Sequence, residues 1–392
     1  MSARFEDAAI VSGIGQSQIG RRLQRSDLSL TVDACRAAVA DAGLTLQDVD
    51  GLVAWPGEHP APPGFTGPGT LRVKDALGLD LRWHHACVEG PGQGAALMTA
   101  MMAVASGLAT HVMVYRTVTE ATGQYGGGRS GAHPWDAGGV PGQFQWLRPF
   151  GSVSAATWLA PSFRRYLHDY GIDREQVGWL AVSNRANAIR RGRAVYPQPL
   201  TLEDYAGARD IATPFRLLDC DIPIDGATAI IVSAADRATD TPHPVRFEAV
   251  GSAVTVRPWW DQLTDPTAYP AQDVGIHLWS RTSLTPTDVD VAQLYDGFSF
   301  LALVWLEALG FCGPGEAPGF LDGGERTSID GELPLNTSGG QLSEGRLHGY
   351  GLFHEACVQL RGQAGSGQVP DAEVAVVAIG GGPLGGAFVL TR

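Results

Sequence analysis

The stretch Asn336-Thr-Ser-Gly-Gly-Gln-Leu-Ser-Glu-Gly-Arg-Leu-His-Gly-Tyr350-Gly is rich in glycine and leads into an amphipathic run that ends with Val358-Gln-Leu-Arg-Gly362. Glycine has no side chain, so a loop of this composition can bring its backbone close to a ligand. The start of a helix adds free backbone N–H groups that favour anionic ligand groups. We therefore predict that this loop and the helix behind it form one wall of a ligand site.

The composition fits a soluble globular protein of one large domain or two merged domains. The 392 residues are 44% hydrophobic and 18% charged, and the formal net charge is −13. This charge argues against general nucleic-acid binding, because it repels phosphates. The N-terminus lacks the apolar segment of a signal peptide, and the most apolar run, Phe298 to Phe311, is too short for a bilayer and carries Glu307. We expect a cytoplasmic protein without a membrane segment.

The cysteine pattern points to the same compartment. The sequence contains Cys35, Cys87, Cys220, Cys312 and Cys357. Their number is odd and none forms a C-x-x-C pair, which favours a reducing cytosol over a disulfide framework or a zinc site. We expect no metal site.

The chain repeats itself. Leu44-Thr-Leu-Gln-Asp-Val-Asp50 precedes a strand-like Gly51-Leu-Val-Ala-Trp55, and Leu284-Thr-Pro-Thr-Asp-Val-Asp290 precedes Val291-Ala-Gln-Leu-Tyr295. A second echo links helices of residues 94–107 and 351–362, each with glycine at both ends and each followed by a β-rich run. Two echoes in the same order predict two similar α/β halves in which helices cover mostly parallel sheets.

Residues 124–216 fit neither half. This segment is rich in Trp, Tyr, Pro and Arg, and we predict a helical insertion above the first half that covers a ligand site or decorates the surface. It contains a basic cluster made of Arg185, Arg190, Arg191 and Arg193. The cluster is either a solvated helix end or an anchor for the phosphates of a CoA-like ligand.

The glycine-rich loop resembles the second catalytic loop of the thiolase superfamily, whose pattern is roughly Asn-x-x-Gly-Gly-x-x-x-x-Gly-His-Pro. Tyr295-Asp-Gly-Phe-Ser299 and Asn336-Thr-Ser-Gly-Gly340 are similar to the lipid-transfer-protein-like branch. The resemblance covers nearly the whole chain. It implies an α/β, thiolase-like, internally duplicated fold layered αβαβα. The N-terminal half would span 1–245, including the helical and loop insertion at about 124–216, and the C-terminal half 246–392.

Four positions at which a thiolase would react carry other residues. Gly90 stands at the nucleophile, Tyr295 and Arg346 at the two loop positions of histidine or asparagine, and Ala378 at the second cysteine. Cys87 lies three residues before Gly90, and we interpret it as a buried structural cysteine. Together the four changes exclude catalysis through an acyl-cysteine.

Two tyrosines, Tyr295 and Tyr350, lie on the two loops that would flank a thioester. A phenol can serve as a general acid or base when its neighbours tune it, although each tyrosine alone could be a hydrogen-bonded core residue. Without the cysteine, the site can still stabilise the enolate of a thioester, which permits an aldol or retro-aldol reaction. Backbone amides of Gly380, Gly381 and Gly382 are candidate oxyanion donors; alternatively these glycines serve tight packing.

The runs Tyr295 to Cys312 and Gly339 to Tyr350 resemble bacterial steroid side-chain-cleaving aldolases. This resemblance implies retro-aldol cleavage of a thioester of the 17-hydroxy-3-oxo-pregnene-20-carboxyl-CoA type to a 17-keto steroid and propionyl-CoA. Coenzyme A is then part of the substrate and no cofactor is needed. The implied acid/base pair is Tyr295 and Tyr350, with His348 and Asp296 orienting them. The substrate would contact Gly90, Arg346, Gly380, Gly381 and Gly382.

The same resemblance implies a homodimer core that binds a small OB-fold/zinc-ribbon partner, giving a heterotetramer. The aromatic residues of the insertion offer a flat apolar surface for a steroid, or a hydrophobic cluster that covers the dimer; they are Trp135, Phe144, Trp146, Phe150 and Trp158. Two other functions stay open at this point. One is a non-catalytic acyl-CoA or sterol carrier or scaffold subunit, and the other is an aldolase for a longer sterol or bile-acid side chain.

Overall fold

The computed structural model describes residues 4–59, 61–86, 90, 92–124, 144–152, 154–255, 269–381 and 384–392. Cys87, Trp135 and Gly382 lie outside these residues, and so does the side chain of Phe144. Within the described part of the chain, no helix is long and apolar enough to cross a membrane.

The strands are β1 (Ala9–Gln16), β2 (Gly51–Ala54), β3 (Trp83–Ala86), β4 (His111–Thr119), β5 (Asp210–Ala212), β6 (Phe215–Arg216), β7 (Asp225–Ala234), β8 (Val245–Ser252), β9 (Val291–Leu294), β10 (Val374–Gly381) and β11 (Leu384–Thr391). The helices are α1 (Asp27–Asp41), α2 (Thr70–Leu77), α3 (Ala95–Ala105), α4 (Glu120–Gly123), α5 (Phe144–Leu147), α6 (Ala155–Asp169), α7 (Arg174–Arg190), α8 (Leu202–Ala206), α9 (Ala271–Trp279), α10 (Ser299–Ala308), α11 (Ala317–Leu321), α12 (Gly340–Ser343) and α13 (Tyr350–Leu360).

The sheet has the same topology on both sides of its middle. Its strand order is β3-β2-β4-β7-β1-β8-β11-β10-β9, and a short antiparallel pairing of β1 with β8 joins the halves. In the first half β1–β7 and β7–β4 are antiparallel and β4–β2 is parallel. In the second half β8–β11 and β11–β10 are antiparallel and β10–β9 is parallel. The matching order and directions confirm the predicted internal duplication. The boundary between 245 and 246 stays a prediction.

The prediction of mostly parallel sheets was wrong, because the last strand of each half runs between two antiparallel neighbours. Only residues 382 and 383 separate β10 from β11, which is too short a connection for a parallel crossover. In the first half β7 follows the insertion rather than a single crossover helix, so no βαβ unit sets its direction. The result is a mixed sheet.

The repeated acidic turns make the same contacts in both halves. In each turn a threonine amide donates to an aspartate three residues later. A second aspartate two residues beyond accepts from two amides at the start of a later strand. These residues are Thr45, Asp48, Asp50, Thr110 and His111 in the first half, and Thr285, Asp288, Asp290, Glu373 and Val374 in the second. The sequence echo therefore fixes where β4 and β10 begin.

The helices cover the sheet in layers. On one side, α1 and α2 pack on the first-half strands around Leu52 and Met113. On the other side, α3 contacts β1, β2, β4 and β7, while α13 contacts β9 and β10 and also β1 and β7. The far side of the second half is covered by α9, which contacts β8, β11 and α10. This arrangement gives the αβαβα order that the resemblance implies.

The insertion is helical as predicted, but it packs on the second half rather than above the first. Phe163 of α6 stacks on Phe300 of α10 with ring centroids 5.2 Å apart, and the Tyr166 hydroxyl donates to Glu307. The other long helix, α7, contacts α10, α11 and α12. The predicted position was wrong because the apolar faces of α6 and α7 are buried against α10.

The arginine cluster of the insertion makes contacts within the chain, and its predicted role as a phosphate anchor stays a prediction. The ion pairs are Arg190 with Asp330, Arg191 with Glu355, and Arg193 with Glu344. Arg185 donates to the carbonyl of Gln198 and the hydroxyl of Ser343, at 3.1 and 3.2 Å. These side chains tie α7 to the second half, so most of their charge is used inside the chain.

Two phenylalanines of this insertion should differ sharply in their contribution to stability. Phe163 is fully buried, whereas Phe150 is 86% exposed. We expect Phe163→Ala to lower the free energy of unfolding by about 3–5 kcal/mol, through lost burial and a cavity against α10. The control Phe150→Ala should change it by less than about 0.5 kcal/mol. Urea denaturation measures both, and equal effects would contradict this packing.

Candidate functional site

The predicted tyrosine pair meets at Gln93. Tyr295 directly follows β9, and Tyr350 is the first residue of α13. The Tyr350 hydroxyl donates to the backbone carbonyl of Gln93 at 3.0 Å, and the side-chain Nε2 of Gln93 donates to the Tyr295 hydroxyl at 3.5 Å. Gln93 lies in the short turn Gly92–Gly94 that leads into α3. Three loops, one from the first half and two from the second, therefore bring both phenols to a single residue.

The surroundings of Tyr295 set the acidity of its phenol. Burial raises its pKa above the ordinary value, and the carboxylates of Asp221 and Asp296 act in the same direction. The Gln341 side chain and the Arg116 guanidinium oppose this shift. At neutral pH the phenol is a hydrogen-bond donor and a potential acid, and a nearby cation favours its ionised form.

Asp296 caps the start of α12. One carboxylate oxygen accepts from the Gln341 amide at 2.9 Å, and the other accepts from the Leu342 amide at 3.2 Å and the Asn184 side chain at 2.8 Å. A Cβ on Gly340, whose φ is +58°, would lie 2.2 Å from this carboxylate. These contacts make Asp296 the cap of α12, and its predicted part in orienting the tyrosines stays a prediction.

His348 binds the side chain of Arg116. The Arg116 guanidinium donates to Nδ1 of His348 at 2.8 Å, so the imidazole proton lies on Nε2. His348 has a φ of +53°, a left-handed conformation that places strain at this loop. Its ring packs on Phe65 at 4.9 Å and Trp55 at 5.8 Å. His348 is thus oriented from the first half, across the boundary between the two.

Arg346 is the centre of a buried ion network. Its guanidinium binds both oxygens of Glu120, at 2.6 and 2.7 Å, and one oxygen of Asp221 at 3.2 Å. All three side chains are almost fully buried. The network accounts for arginine at this position, and contact with the substrate stays a prediction.

The glycines assigned to substrate binding lie beside Gln93. Gly380 has a φ of +97°, and a Cβ there would be 2.7 Å from the Leu384 carbonyl and 2.9 Å from Oε1 of Gln93. A Cβ on Gly381 would be 2.4 Å from the Leu301 side chain. Gly90 accepts from the Gly92 amide at 2.7 Å, just before Gln93. Close packing is evident at Gly380 and Gly381, whereas oxyanion binding stays a prediction.

The buried thiols are poor nucleophiles. Burial raises the pKa of Cys357 to about 12 and that of Cys35 further. Cys312, beside Glu307 and Glu316, also has its pKa raised to about 12. Among the described residues, no cluster of three His, Cys, Asp or Glu side chains could hold a metal ion.

Several residues of the site were not predicted from the sequence: Gln93, Arg116, Glu120, Asp221 and Gln341. Two of them carried a signal, because Arg116 lies within the apolar strand β4 and Glu120 lies at its end. A charge at a buried strand position is often functional or paired with another charge. The other three are recognised only through contacts between distant segments.

The aromatic residues of the insertion are partly exposed. Trp146 and Phe150 are largely exposed, and the Trp158 indole donates to the Ser152 carbonyl at 3.0 Å. Their part in steroid binding or in covering a dimer stays a prediction.

Buried Asp296 should make stability depend on pH. Burial raises its pKa to about 7, above the ordinary value near 4. The unfolded chain then releases this proton first, so stability falls as pH rises from about 4 to 7. Asparagine does not titrate, so Asp296→Asn should remove this loss. The free energy of unfolding of the wild type minus that of the variant should therefore fall by about 4 kcal/mol at most between pH 4 and pH 8. Urea denaturation at both pH values measures this shift.

The exposed carboxylate Asp288 provides a control of opposite sign. The hydrogen bond from Thr285 lowers its pKa, so its stabilising contribution grows as pH rises through its titration. Asp288→Asn should therefore cost more at pH 8 than at pH 4. A flat difference between wild type and Asp296→Asn would contradict the buried carboxyl.

Comparisons with known proteins show which family this chain is similar to. A family model described as thiolase C-terminal domain-like matches residues 253–391. A protein of Thermomonospora curvata named steroid side-chain-cleaving aldolase is 38% identical over 91% of this chain and 90% of its own length. A protein of Mycobacterium tuberculosis named 17-hydroxy-3-oxo-4-pregnene-20-carboxyl-CoA lyase is also 38% identical, over 91% of this chain and 92% of its own.

Solved structures agree with these relatives. The structure described as Ltp2-ChsH2(DUF35) aldolase has a TM-score of 0.85 and 34% identity, and it covers 98% of both chains. Human mitochondrial 3-ketoacyl-CoA thiolase has a TM-score of 0.70 at 13% identity, covering 99% of this chain and 100% of its own. At that identity the second match shows the fold alone.

Proposed function

The chain belongs to the thiolase-fold family that includes steroid side-chain-cleaving aldolases, and from this premise we propose that it is a retro-aldolase acting on a steroid acyl-CoA. The substrate is a thioester of the 17-hydroxy-3-oxo-pregnene-20-carboxyl-CoA type. The products are a 17-keto steroid and propionyl-CoA. The observation that carries the proposal is the convergence of the Tyr295 and Tyr350 hydroxyls on Gln93.

The proposed reaction needs one base and one acid. One tyrosine accepts the proton of the 17-hydroxyl, the bond between C17 and the thioester α-carbon breaks, and its electron pair forms the thioester enolate. The other tyrosine donates a proton to the α-carbon, which gives propionyl-CoA. Gln93 contacts both phenols, which supports the proposal that they act on the same reacting bond. His348, held by Arg116, and Asp296, which caps α12, keep the two loops in place.

No covalent intermediate is required. By the resemblance to thiolases, Gly90 and Ala378 take the positions of the two cysteines, so the proposed reaction proceeds without an acyl-enzyme. Backbone amides near Gly380 and Gly381 are proposed to stabilise the enolate oxygen, with Gly90 and Arg346 beside the thioester. Coenzyme A is part of the substrate, and neither cofactor nor metal is proposed.

A partner protein completes the proposed assembly. The similar structure is described as Ltp2-ChsH2(DUF35) aldolase, which names a second protein and supports a small OB-fold/zinc-ribbon partner for this chain. We propose a homodimer core and a heterotetramer. The strand β3 supports the dimer: it lies at the edge of the sheet, and three of its four residues are exposed. An unpaired edge is a ready site for pairing with a second copy.

Removing either phenol should abolish turnover. In wild type co-expressed with its partner, we expect propionyl-CoA from the 17-hydroxy steroid thioester. Tyr295→Phe and Tyr350→Phe should each lower kcat by about 100-fold or more. The control Tyr115→Phe, which removes a buried hydroxyl bonded to the Pro68 carbonyl, should retain activity. Liquid chromatography with mass spectrometry measures the product.

Each outcome has a clear meaning. Product release that survives both site variants would contradict the tyrosine assignment. Tight binding of the thioester without any release would favour the carrier. Release only from a longer side chain would favour the other aldolase branch.

The edge of β3 can be tested directly. The Trp83 amide donates to the Asp50 carbonyl at 3.2 Å, so strand alternation turns the His84 amide away from β2. We expect His84→Pro, which removes that outward N–H, to convert the dimer to a monomer in light scattering after size-exclusion chromatography. His84→Ala keeps the amide and should stay dimeric. A dimeric proline variant would contradict pairing through this edge.

A further inference from the structure

Arg116 is a buried cation in the middle of β4. Its side chain is fully buried, and its guanidinium lies 4.8 Å from the ring centre of Trp55 and 5.0 Å from that of Phe65. It donates to the Nδ1 atom of His348, and its Nε and Nη1 atoms have no hydrogen-bond partner among the described residues. Aromatic faces and a neutral imidazole therefore hold this charge in place of a carboxylate.

The carboxylates near Arg116 are engaged elsewhere. Glu120 and Asp221 both bind Arg346, and no ion pair within the described part of the chain includes Arg116. Burial lowers the pKa of Arg116 to about 10, while Glu120, Tyr350 and Tyr295 favour its charged form. The guanidinium thus stays charged at neutral pH. His348, which the guanidinium contacts, lies two residues before Tyr350, and Tyr350 shares its partner Gln93 with Tyr295.

A buried cation without a carboxylate partner lowers the stability of the folded state. Apolar replacements at such positions are often neutral or stabilising. The presence of the cation is explained if it stabilises negative charge that develops nearby during the reaction. The retro-aldol reaction proposed above develops such a charge on a tyrosine and on the thioester enolate.

We propose that Arg116 is the positioning residue that allows either tyrosine of the pair to carry a negative charge during retro-aldol cleavage. This inference rests on the proposed function. A phenolate must take the hydroxyl proton, and the second phenol must give its proton to the α-carbon. After one cleavage the first tyrosine is neutral and the second is a phenolate, and one proton passes from the first to the second through solvent before the next cycle. A cation near both tyrosines therefore stabilises the phenolate of the first before cleavage and the phenolate of the second after it.

The other charged groups described around the two tyrosines do not supply a free positive charge, so we assign stabilisation of the phenolate to Arg116. Facing Tyr295 are the carboxylates of Asp221 and Asp296, which disfavour a phenolate, and the Arg116 cation, which favours it. Arg346 is neutralised by its two carboxylates, and His348 accepts from Arg116 in its neutral form. Removing Arg116 would leave mainly negative charge beside Tyr295. The base would then ionise only at higher pH.

Two variants of Arg116 in the partner complex test this role. Arg116→Gln should lower kcat at pH 7 by about 100-fold and shift the rising limb of the pH profile upward by about one unit or more. Arg116→Ala should regain activity when millimolar guanidinium chloride is added, and not when urea is added. Urea has a similar shape without the charge, so it separates electrostatics from packing. The matched control is Arg361→Ala, which also removes a buried guanidinium and should respond to neither additive.

The outcomes distinguish this inference from the function on which it rests. A wild-type complex that releases no propionyl-CoA would overturn both. An active wild type with an equal activity loss at every pH in Arg116→Gln would overturn the role of Arg116 alone. Equal rescue of Arg116→Ala by urea and guanidinium would do the same. If Arg116→Gln does not fold, as seen by circular dichroism, the rescue of Arg116→Ala still decides the question.

Discussion

The ion network of Arg346 with Glu120 and Asp221 is the constraint on which the site depends. Glu120 directly follows β4, Asp221 follows the insertion, and Arg346 lies in the glycine-rich loop of the second half. A buried charge that loses its partner costs several kcal/mol, so the three segments must stay together. Because Tyr295 faces Asp221 and Tyr350 starts the helix behind Arg346, the same network sets the positions of both phenols.

The fold keeps a thiolase frame while the reactive groups have changed. In this frame, helices of both halves lie between the two parts of the sheet, and their first turns point to one site. The resemblance implies glycine and alanine at the thiol positions, and the structure brings together two phenols, the amide of Gln93 and, beside His348, the guanidinium of Arg116. Such a set can move protons and hold negative charge. The change in chemistry therefore requires no change in topology.

Features that depend on a local sequence pattern could be predicted from the sequence. The duplication could be recognised in the sequence because the same threonine–aspartate pattern precedes the second and the ninth strand. In the structure the two turns make the same contacts. The tyrosines were visible because each lies in a motif with fixed spacing. Strand direction was predicted wrongly, because it depends on connections that periodicity does not describe. Gln93 and Arg116 were missed, because their roles arise from residues some 200 positions away.

The most direct test of a cysteine-free retro-aldol reaction is cleavage of the steroid thioester in heavy water. The account predicts propionyl-CoA with a single deuterium at the α-carbon, because the acid that protonates the enolate exchanges with solvent. Intact-protein mass spectrometry during turnover should show the unmodified chain. Unlabelled propionyl-CoA, or a chain carrying an acyl group, would contradict the account.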